Sequence, residues 1–102
     1  MPPPTTIPAN QVLVEVENGN GQPGQATQVS SALSSAGFEV NGIANATSYS
    51  YRESEILYSN GSATAAATLA AAVEGDVTTS ETPGIPRGEV YFIVGADYEG
   101  IR

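Results

Sequence analysis

The chain has 102 residues, enough for one small domain with one modest core, and eleven acidic residues against three arginines give it a formal net charge of −8. It contains no cysteine, histidine or lysine, which excludes disulfides, thiolate metal sites, histidine general bases and Schiff-base nucleophiles. Such an acidic chain is a poor partner for nucleic acid or anionic membranes, and no apolar run approaches the roughly 18 residues that span a bilayer.

The N-terminal residues 1–11 hold four of the seven prolines and show no hydrophobic period. This composition predicts a disordered Pro/Thr-rich linker. A strand is predicted next, because valine alternates with leucine or glutamate from residue 12 to residue 17. We place the folded domain at residues 12–98 and a short tail at residues 99–102.

A glycine-rich turn follows the first strand, and apolar residues then recur at helical spacing. Gly37 predicts a left-handed stop to this helix, after which Phe38 folds back on Leu33. A second strand is predicted from residue 38 to about residue 44. The apolar stripe of the helix consists of Ala26, Val29, Leu33 and Ala36.

The same pattern then repeats along the chain. Residues 55–58 predict a short strand, Ser62 is a good N-cap, and residues 63–74 predict an alanine-rich helix closed by Gly75. A short strand at residues 76–80 and a loop at residues 81–88 follow. The continuous apolar run at residues 90–94 then indicates a central strand.

Together these elements predict an α/β (α+β) fold. The expected architecture is a two-layer sandwich, with two helices packed on one face of a small mixed sheet of four or five strands. The pattern leaves the strand order open, and a ferredoxin-like split βαβ arrangement is the alternative.

The turn after the first strand matches the G-x-G-x-x-G dinucleotide fingerprint through Gly19, Gly21 and Gly24. A dinucleotide site also needs an acidic residue about 20 residues further on and a large doubly wound sheet, and neither is convincing here. We therefore interpret the turn as mainly structural, and we expect Gly19 to need a positive φ. The alternative is a small polar ligand held by backbone amides and the side chains of Asn18 and Asn20.

Tyrosines supply a second set of candidates, because their rings can stack on sugars while the hydroxyl forms hydrogen bonds. Tyr49 and Tyr51 are the pair selected, since no helical pattern explains them. Asp97 ends the central strand, where polar residues can be functional, although a turn or cap role is the simpler reading. No catalytic residue, metal site or cofactor is predicted. The candidate ligand-binding residues are Asn18, Gly19, Asn20, Gly21, Gly24, Tyr49, Tyr51 and Asp97.

These motifs, in this order, resemble the LytR C-terminal domain family over about residues 12–97. The resemblance rests on the strand that ends in Asn18-Gly19, on Ala36-Gly37-Phe38 after the first helix, on Ile56-Leu-Tyr58 before the alanine-rich helix, and on the segment at residues 90–97. Residues 76–88 depart from it. The family has no established catalytic residues, so none is carried over.

The resemblance implies an extracytoplasmic module of Gram-positive, chiefly actinobacterial, cell envelopes. Similar domains lie behind a LytR-CpsA-Psr domain, which transfers glycopolymers from a lipid carrier to peptidoglycan, or behind a membrane anchor. We therefore expect a non-catalytic accessory module in cell-wall biogenesis that binds or positions cell-wall glycopolymer for such a transferase. It would be a monomer, tethered to the membrane only through a segment outside this chain.

Two alternatives to this function remain. One is a protein–protein interaction domain without a ligand of its own. The other is a small carboxylate-based hydrolase, because Glu53 and Glu55 alternate along a strand and share one face. Carboxylates in this pattern are more often a solvated strand face.

Overall fold

A computed structural model describes residues 11–21, 24–46, 51–59, 61–74, 77–85, 89–96, 98 and 100–101. The predicted linker lies outside these residues except for Gln11. Within the described part the chain forms five strands and two helices. In chain order these are β1 Leu13–Asn18, α1 Gln25–Ser35, β2 Glu39–Asn45, β3 Glu55–Tyr58, α2 Ala63–Ala72, β4 Thr78–Glu81 and β5 Glu89–Val94.

The strands form one mixed sheet in the order β2-β1-β5-β3-β4. β1 is parallel to both β2 and β5, whereas β3 is antiparallel to β5 and parallel to β4. Each helix therefore connects two strands that pair directly, and neither unit is a split βαβ arrangement. The predicted α+β sandwich is confirmed, with the two βαβ units on either side of β5.

The core lies between the sheet and the two helices. Phe92 of β5 is fully buried and stands opposite Val16 of β1 on one side and Ile56 of β3 on the other. Val29 and Leu33 of α1 join the same cluster. The predicted central strand is confirmed, because β5 is paired on both edges and its alternate residues fill the middle of the core.

The end of α1 is built as the sequence predicts. Gly37 has a φ of 99°, and its N–H donates to the Ser34 carbonyl at 3.1 Å. The Phe38 N–H donates to the Leu33 carbonyl at 3.0 Å, which completes a Schellman motif, and both side chains are buried. Ala36 does not extend the apolar stripe, because the helix ends at Ser35 and Ala36 is an exposed C-cap.

The second helix is shorter than predicted, since it ends at Ala72 and not at residue 74. Val73 is already extended, with φ −88° and ψ 132°, and it forms an antiparallel bridge with Ile101. The Glu74 N–H donates to the Gly100 carbonyl at 2.9 Å. The C-terminal segment therefore takes these residues out of the helix, and Gly75 lies outside the described residues.

The start of α2 also differs from the prediction. Ser62 is the N-cap, but its side chain makes no capping hydrogen bond. Its hydroxyl lies 3.0 Å from the hydroxyl of Ser59, and both side chains are buried. The hydroxyl therefore ties the turn to the end of β3.

The Leu33→Ala variant tests the core beneath α1. Because Leu33 is fully buried and also packs at the helix end, we expect the free energy of unfolding to fall by about 2–5 kcal/mol in urea denaturation. Ser31→Ala, at an exposed position of the same helix, should change it by less than about 0.5 kcal/mol. Equal effects of the two substitutions would contradict this packing.

Candidate functional site

The candidate site lies at the edge of the sheet where β1, β2 and β5 end. These three strands are parallel, so the segments that follow them meet at one edge. The chain that enters the antiparallel β3 starts from the same edge. In open α/β sheets ligands bind outside the carboxyl ends of the strands, which makes this edge the natural place to look.

The glycine turn is closed by its own hydrogen bonds. Asn18 is only 7% exposed, and its side-chain oxygen accepts the N–H of Asn20 at 3.1 Å and that of Gly21 at 3.0 Å. The Gly19 N–H donates to the Val94 carbonyl at 2.9 Å, and the Asn20 side-chain amide donates to the Gly95 carbonyl at 3.1 Å. The amides of residues 19–21 are therefore engaged within the protein, which favours the structural interpretation of this turn.

Gly19 is required for a different reason from the expected one. Its φ is not positive, whereas Gly21 and Gly24 both have a φ of 75°. A Cβ atom at Gly19 would lie 2.7 Å from Ile93 Cγ2, 2.8 Å from Tyr51 Cδ2 and 2.9 Å from the Val94 carbonyl oxygen. The position needs glycine because neighbouring atoms pack against its Cα, and the positive-φ expectation is wrong.

Tyr51 covers this glycine from the neighbouring segment. Its ring packs on Gly19, its N–H donates to the Gly19 carbonyl at 3.1 Å, and its carbonyl accepts the Ala96 N–H at 3.0 Å. The side chain is half-buried. Tyr51 thus joins the ends of β1 and β5, while Tyr49 and Asp97 lie outside the described residues and their assigned roles stay predictions.

Ser54 and Gly95 also connect the end of β5 to the chain that enters β3. Neither residue was among the site residues predicted from the sequence. Ser54 is 2% exposed, and its hydroxyl accepts the Gly95 N–H at 3.0 Å. A Cβ atom at Gly95 would lie 2.5 Å from the Glu53 carbonyl oxygen and 2.7 Å from the Ser54 nitrogen. A glycine directly after a continuous apolar strand is the signal for such a close backbone approach.

A shallow cavity of about 260 Å³ opens beside the turn, between the start of α1 and the ends of β1 and β2. Ala26 and Thr27 are first-turn residues of α1, and the first-turn N–H groups of a helix have no acceptor within it. Ile43 is 50% exposed and supplies an apolar wall. We call this cavity the cleft; its lining residues are Asn18, Gly24, Ala26, Thr27, Ile43 and Ala44.

The cleft brings two of the predicted residues, Asn18 and Gly24, together with four that the sequence analysis missed. None of the six described residues of its lining has a charged side chain. A hydroxyl from Thr27 and an apolar wall from Ile43 and Ala44 suit a neutral polar ligand. Among the described residues that line the cleft, none has a titratable side chain.

The sheet face that points away from the two helices carries charged and partly buried apolar side chains. The even-numbered residues of β1 and β5 pack in the core with both helices, so the odd-numbered residues point to the other side. No helix of the described part packs there. We call this side the uncovered face; it carries Leu13, Glu15, Glu17, Glu55, Leu57, Glu89, Tyr91 and Ile93.

Like charges crowd one another on the uncovered face. The pKa of Glu17 is raised by partial burial of its carboxyl group, and further by the charge of Glu15 and a hydrogen bond with it. The pKa of the Tyr91 phenol is raised by desolvation and then by the carboxylates of Glu15, Glu89 and Glu17. Three carboxylates therefore act on one phenol.

Glu53 and Glu55, the carboxylates considered above for a hydrolase, lie at the end of this face. Glu53 is exposed and Glu55 is half-buried, and both line a shallow hollow with Tyr51 and Arg52. Among the residues that the structure describes, no group of three or more side chains is arranged to hold a metal ion. In the same residues, neither helix has the length and apolar character needed to cross a membrane.

Comparison with known proteins gives two matches. The family model LytR_C, described as "LytR cell envelope-related transcriptional attenuator", matches residues 11–98. The crystal structure of the soluble domain of a conserved hypothetical secreted protein (Rv2700 ortholog) from Mycobacterium marinum is similar, with 26% sequence identity and a TM-score of 0.75. The match covers 95% of this chain and 67% of that one. No match was found among curated proteins.

The Gly19→Ala variant tests the close packing at the turn. The added methyl group must displace Ile93, Tyr51 or the Val94 carbonyl, so we expect a loss of about 1–3 kcal/mol in the free energy of unfolding. Gly42→Ala is the matched control, because its Cβ atom would meet nothing within 4 Å. Equal melting temperatures of the Gly19→Ala and Gly42→Ala domains would refute the packing account.

The Glu17→Gln variant tests the carboxylate crowding. A raised pKa means that ionised Glu17 destabilises the folded state above its folded pKa, and this penalty disappears as the pH falls to 4.5, the ordinary pKa of a glutamate. At pH 7 the variant should gain at most about 0.5 kcal/mol, because the group is partly solvated. Below pH 4.5 the gain should vanish.

Thermal melts at pH 7 and pH 4 measure this difference. Glu81→Gln, at an exposed position of β4, removes the same charge away from Glu15 and serves as the control. A gain at pH 7 of the same size in the control would show that overall charge, and not the contact between Glu15 and Glu17, is responsible.

Proposed function

Because this chain belongs to the LytR_C family, we propose that it is a non-catalytic module of a cell-envelope protein that binds cell-wall glycopolymer and positions it. The family match and the secreted neighbour support an extracytoplasmic accessory domain. The proposed recipient of the polymer is a transferase of the LytR-CpsA-Psr type.

The uncharged cleft is the observation that carries this proposal. A sugar ring presents hydroxyl groups at its edge and C–H groups on its faces. The Thr27 hydroxyl and the first-turn N–H groups of α1 can meet the hydroxyls, while Ile43 and Ala44 offer an apolar wall for a ring face. Sites for independent small ligands have volumes of about 300–1,000 Å³. The cleft, at about 260 Å³, suits one residue of a longer polymer.

The charge of the domain restricts which segments of a polymer can bind. With a net charge of −8, the domain repels phosphodiester or uronic-acid segments. The described lining of the cleft includes no arginine that would compensate for that repulsion. We therefore assign neutral sugar segments to the cleft.

Positioning, not turnover, is the role that this chemistry supports. A glycosyl or phosphoryl transfer needs a group that moves a proton or stabilises a developing charge. Among the described lining residues, Thr27 supplies a hydroxyl and none supplies an acid or a base. A bound sugar would be held there while the reaction takes place on another domain.

A second candidate function is a protein–protein interaction domain without a ligand of its own. The uncovered face favours it, because half-buried Leu13, Leu57 and Tyr91 lie there without a described element above them. The two functions use opposite sides of the sheet.

A titration of the ¹⁵N-labelled domain with a soluble peptidoglycan disaccharide fragment tests the cleft. Amide signals of Gly24, Ala26, Thr27 and Ala44 should shift at millimolar ligand, because a single shallow subsite binds weakly. Thr27→Ala should weaken the binding about threefold through loss of one hydrogen bond.

Thr78→Ala, at an exposed position of β4, is the matched control and should bind as the unmodified domain does. The proposal fails if none of the cleft amides shifts at 10–20 mM ligand, roughly the limit of meaningful affinity. It also fails if the shifting amides are those of the uncovered face.

A further inference from the structure

We propose that the uncovered face is a docking surface for an extended basic segment of a partner protein, with an arginine or lysine seated among Glu15, Glu17 and Glu89 beside the Tyr91 ring. This surface lies on the other side of the sheet from the cleft. The inference is therefore independent of glycan binding.

The face is partly apolar, which distinguishes it from an ordinary solvated strand surface. Tyr91 of β5 stands between Glu15 of β1 and Leu57 of β3 in the strand register. Leu13 precedes Glu15 by two residues and so lies on the same side. These side chains are half-buried, and in the described residues no helix covers them.

Glu15 and Glu17 lie close enough to interact with each other, and Glu89, which accepts a hydrogen bond from the Asn41 side chain at 2.7 Å, acts with them on Tyr91. Glu15 is the register partner of Tyr91, Glu17 is the partner of Ile93, and Glu89 lies two residues before Tyr91. All three carboxylates raise the pKa of the Tyr91 phenol, and Glu15 also raises that of Glu17. A cation placed among them relieves this repulsion and can also rest on the tyrosine ring.

The domain itself offers little positive charge for this role. The sequence has no lysine and three arginines. Arg52 is the arginine that the described part contains, and it lines the hollow with Tyr51, Glu53 and Glu55 at the end of the face. With eleven acidic residues against three arginines, the chain has an excess of carboxylates that a basic partner can neutralise.

Charge complementarity selects a protein segment over a second copy of the domain. A symmetric dimer through this face would oppose the same carboxylates across the interface, which repel. A divalent cation is a poor fit, because no cluster in the described part has the geometry of a metal site. Side chains of an extended segment repeat about every 7 Å on one side, the spacing at which Leu13, Glu15 and Glu17 succeed one another along β1.

The experiment is a titration of the ¹⁵N-labelled domain with a capped peptide in which four arginines alternate with four threonines. We expect amide shifts at Glu15, Glu17, Leu57 and Tyr91, and none at Thr27. The Glu15→Gln/Glu17→Gln double variant should lose about tenfold in affinity. Glu74→Gln/Glu81→Gln is the matched control, because it makes the same charge change at exposed positions outside the face and should lose less than about twofold.

Equal losses in the two double variants would overturn the proposal, since only the total charge would then matter. Binding of calcium chloride or of the diamine cadaverine with the affinity of the peptide, at the same amides, would also overturn it in favour of a small-cation site. If the Glu15→Gln/Glu17→Gln domain does not fold, Leu57→Arg takes its place. That substitution supplies a cation within the face and should likewise weaken peptide binding about tenfold.

Discussion

The pairing of β5 with both β1 and β3 holds this domain together. The first unit, β1-α1-β2, and the second unit, β3-α2-β4, do not pair with each other in the sheet. β5 comes last among the strands, yet it lies between the units and places Phe92 against Val16 and Ile56. The two units share one core because this strand closes the gap between them.

The position of β5 also determines the shape of the candidate site. Parallel pairing with β1 puts Gly19 beside Val94 and Gly95, and the chain that enters β3 fits between them through Tyr51 and Ser54. The crevice that could open there in a larger sheet is filled by backbone hydrogen bonds. On the other side of β1 the described residues leave the space of the cleft. The G-x-G-x-x-G motif therefore shapes the backbone, and the adjoining surface is what is available to a ligand.

The sequence was sufficient for features that depend on local periodicity. β3 has its predicted bounds, the stop of α1 at Gly37 is confirmed, and the last strand is central as its apolar run indicates. These features follow from side-chain spacing and turn chemistry within a few residues. Local spacing and turn residues therefore predict both the type of a helix or strand and the residue at which it ends.

Features that depend on distant partners could not be derived in the same way. Val73 leaves the helical conformation because Ile101 pairs with it, and nothing near Val73 signals that bridge. Gly19 excludes a side chain because Ile93 and Tyr51 approach it, although its own φ is not positive. Two of the predicted site residues line the cleft, but Ile43 and Ala44 come from β2, whose place beside β1 was left open.

A different partner is proposed for each side of the sheet, because the helices cover one face and leave the other uncovered in the described part. The described lining of the cleft near α1 is uncharged, whereas the uncovered face is acidic and partly apolar. Glycan held in the cleft and a basic segment held on the uncovered face would not compete, since the sheet separates them. A domain that binds the glycan and the basic segment at the same time would bring a polymer to a partner protein, and the domain itself would not need to catalyse a reaction. Loss of binding on one side should therefore leave binding on the other side intact, which makes the two proposals separable by experiment.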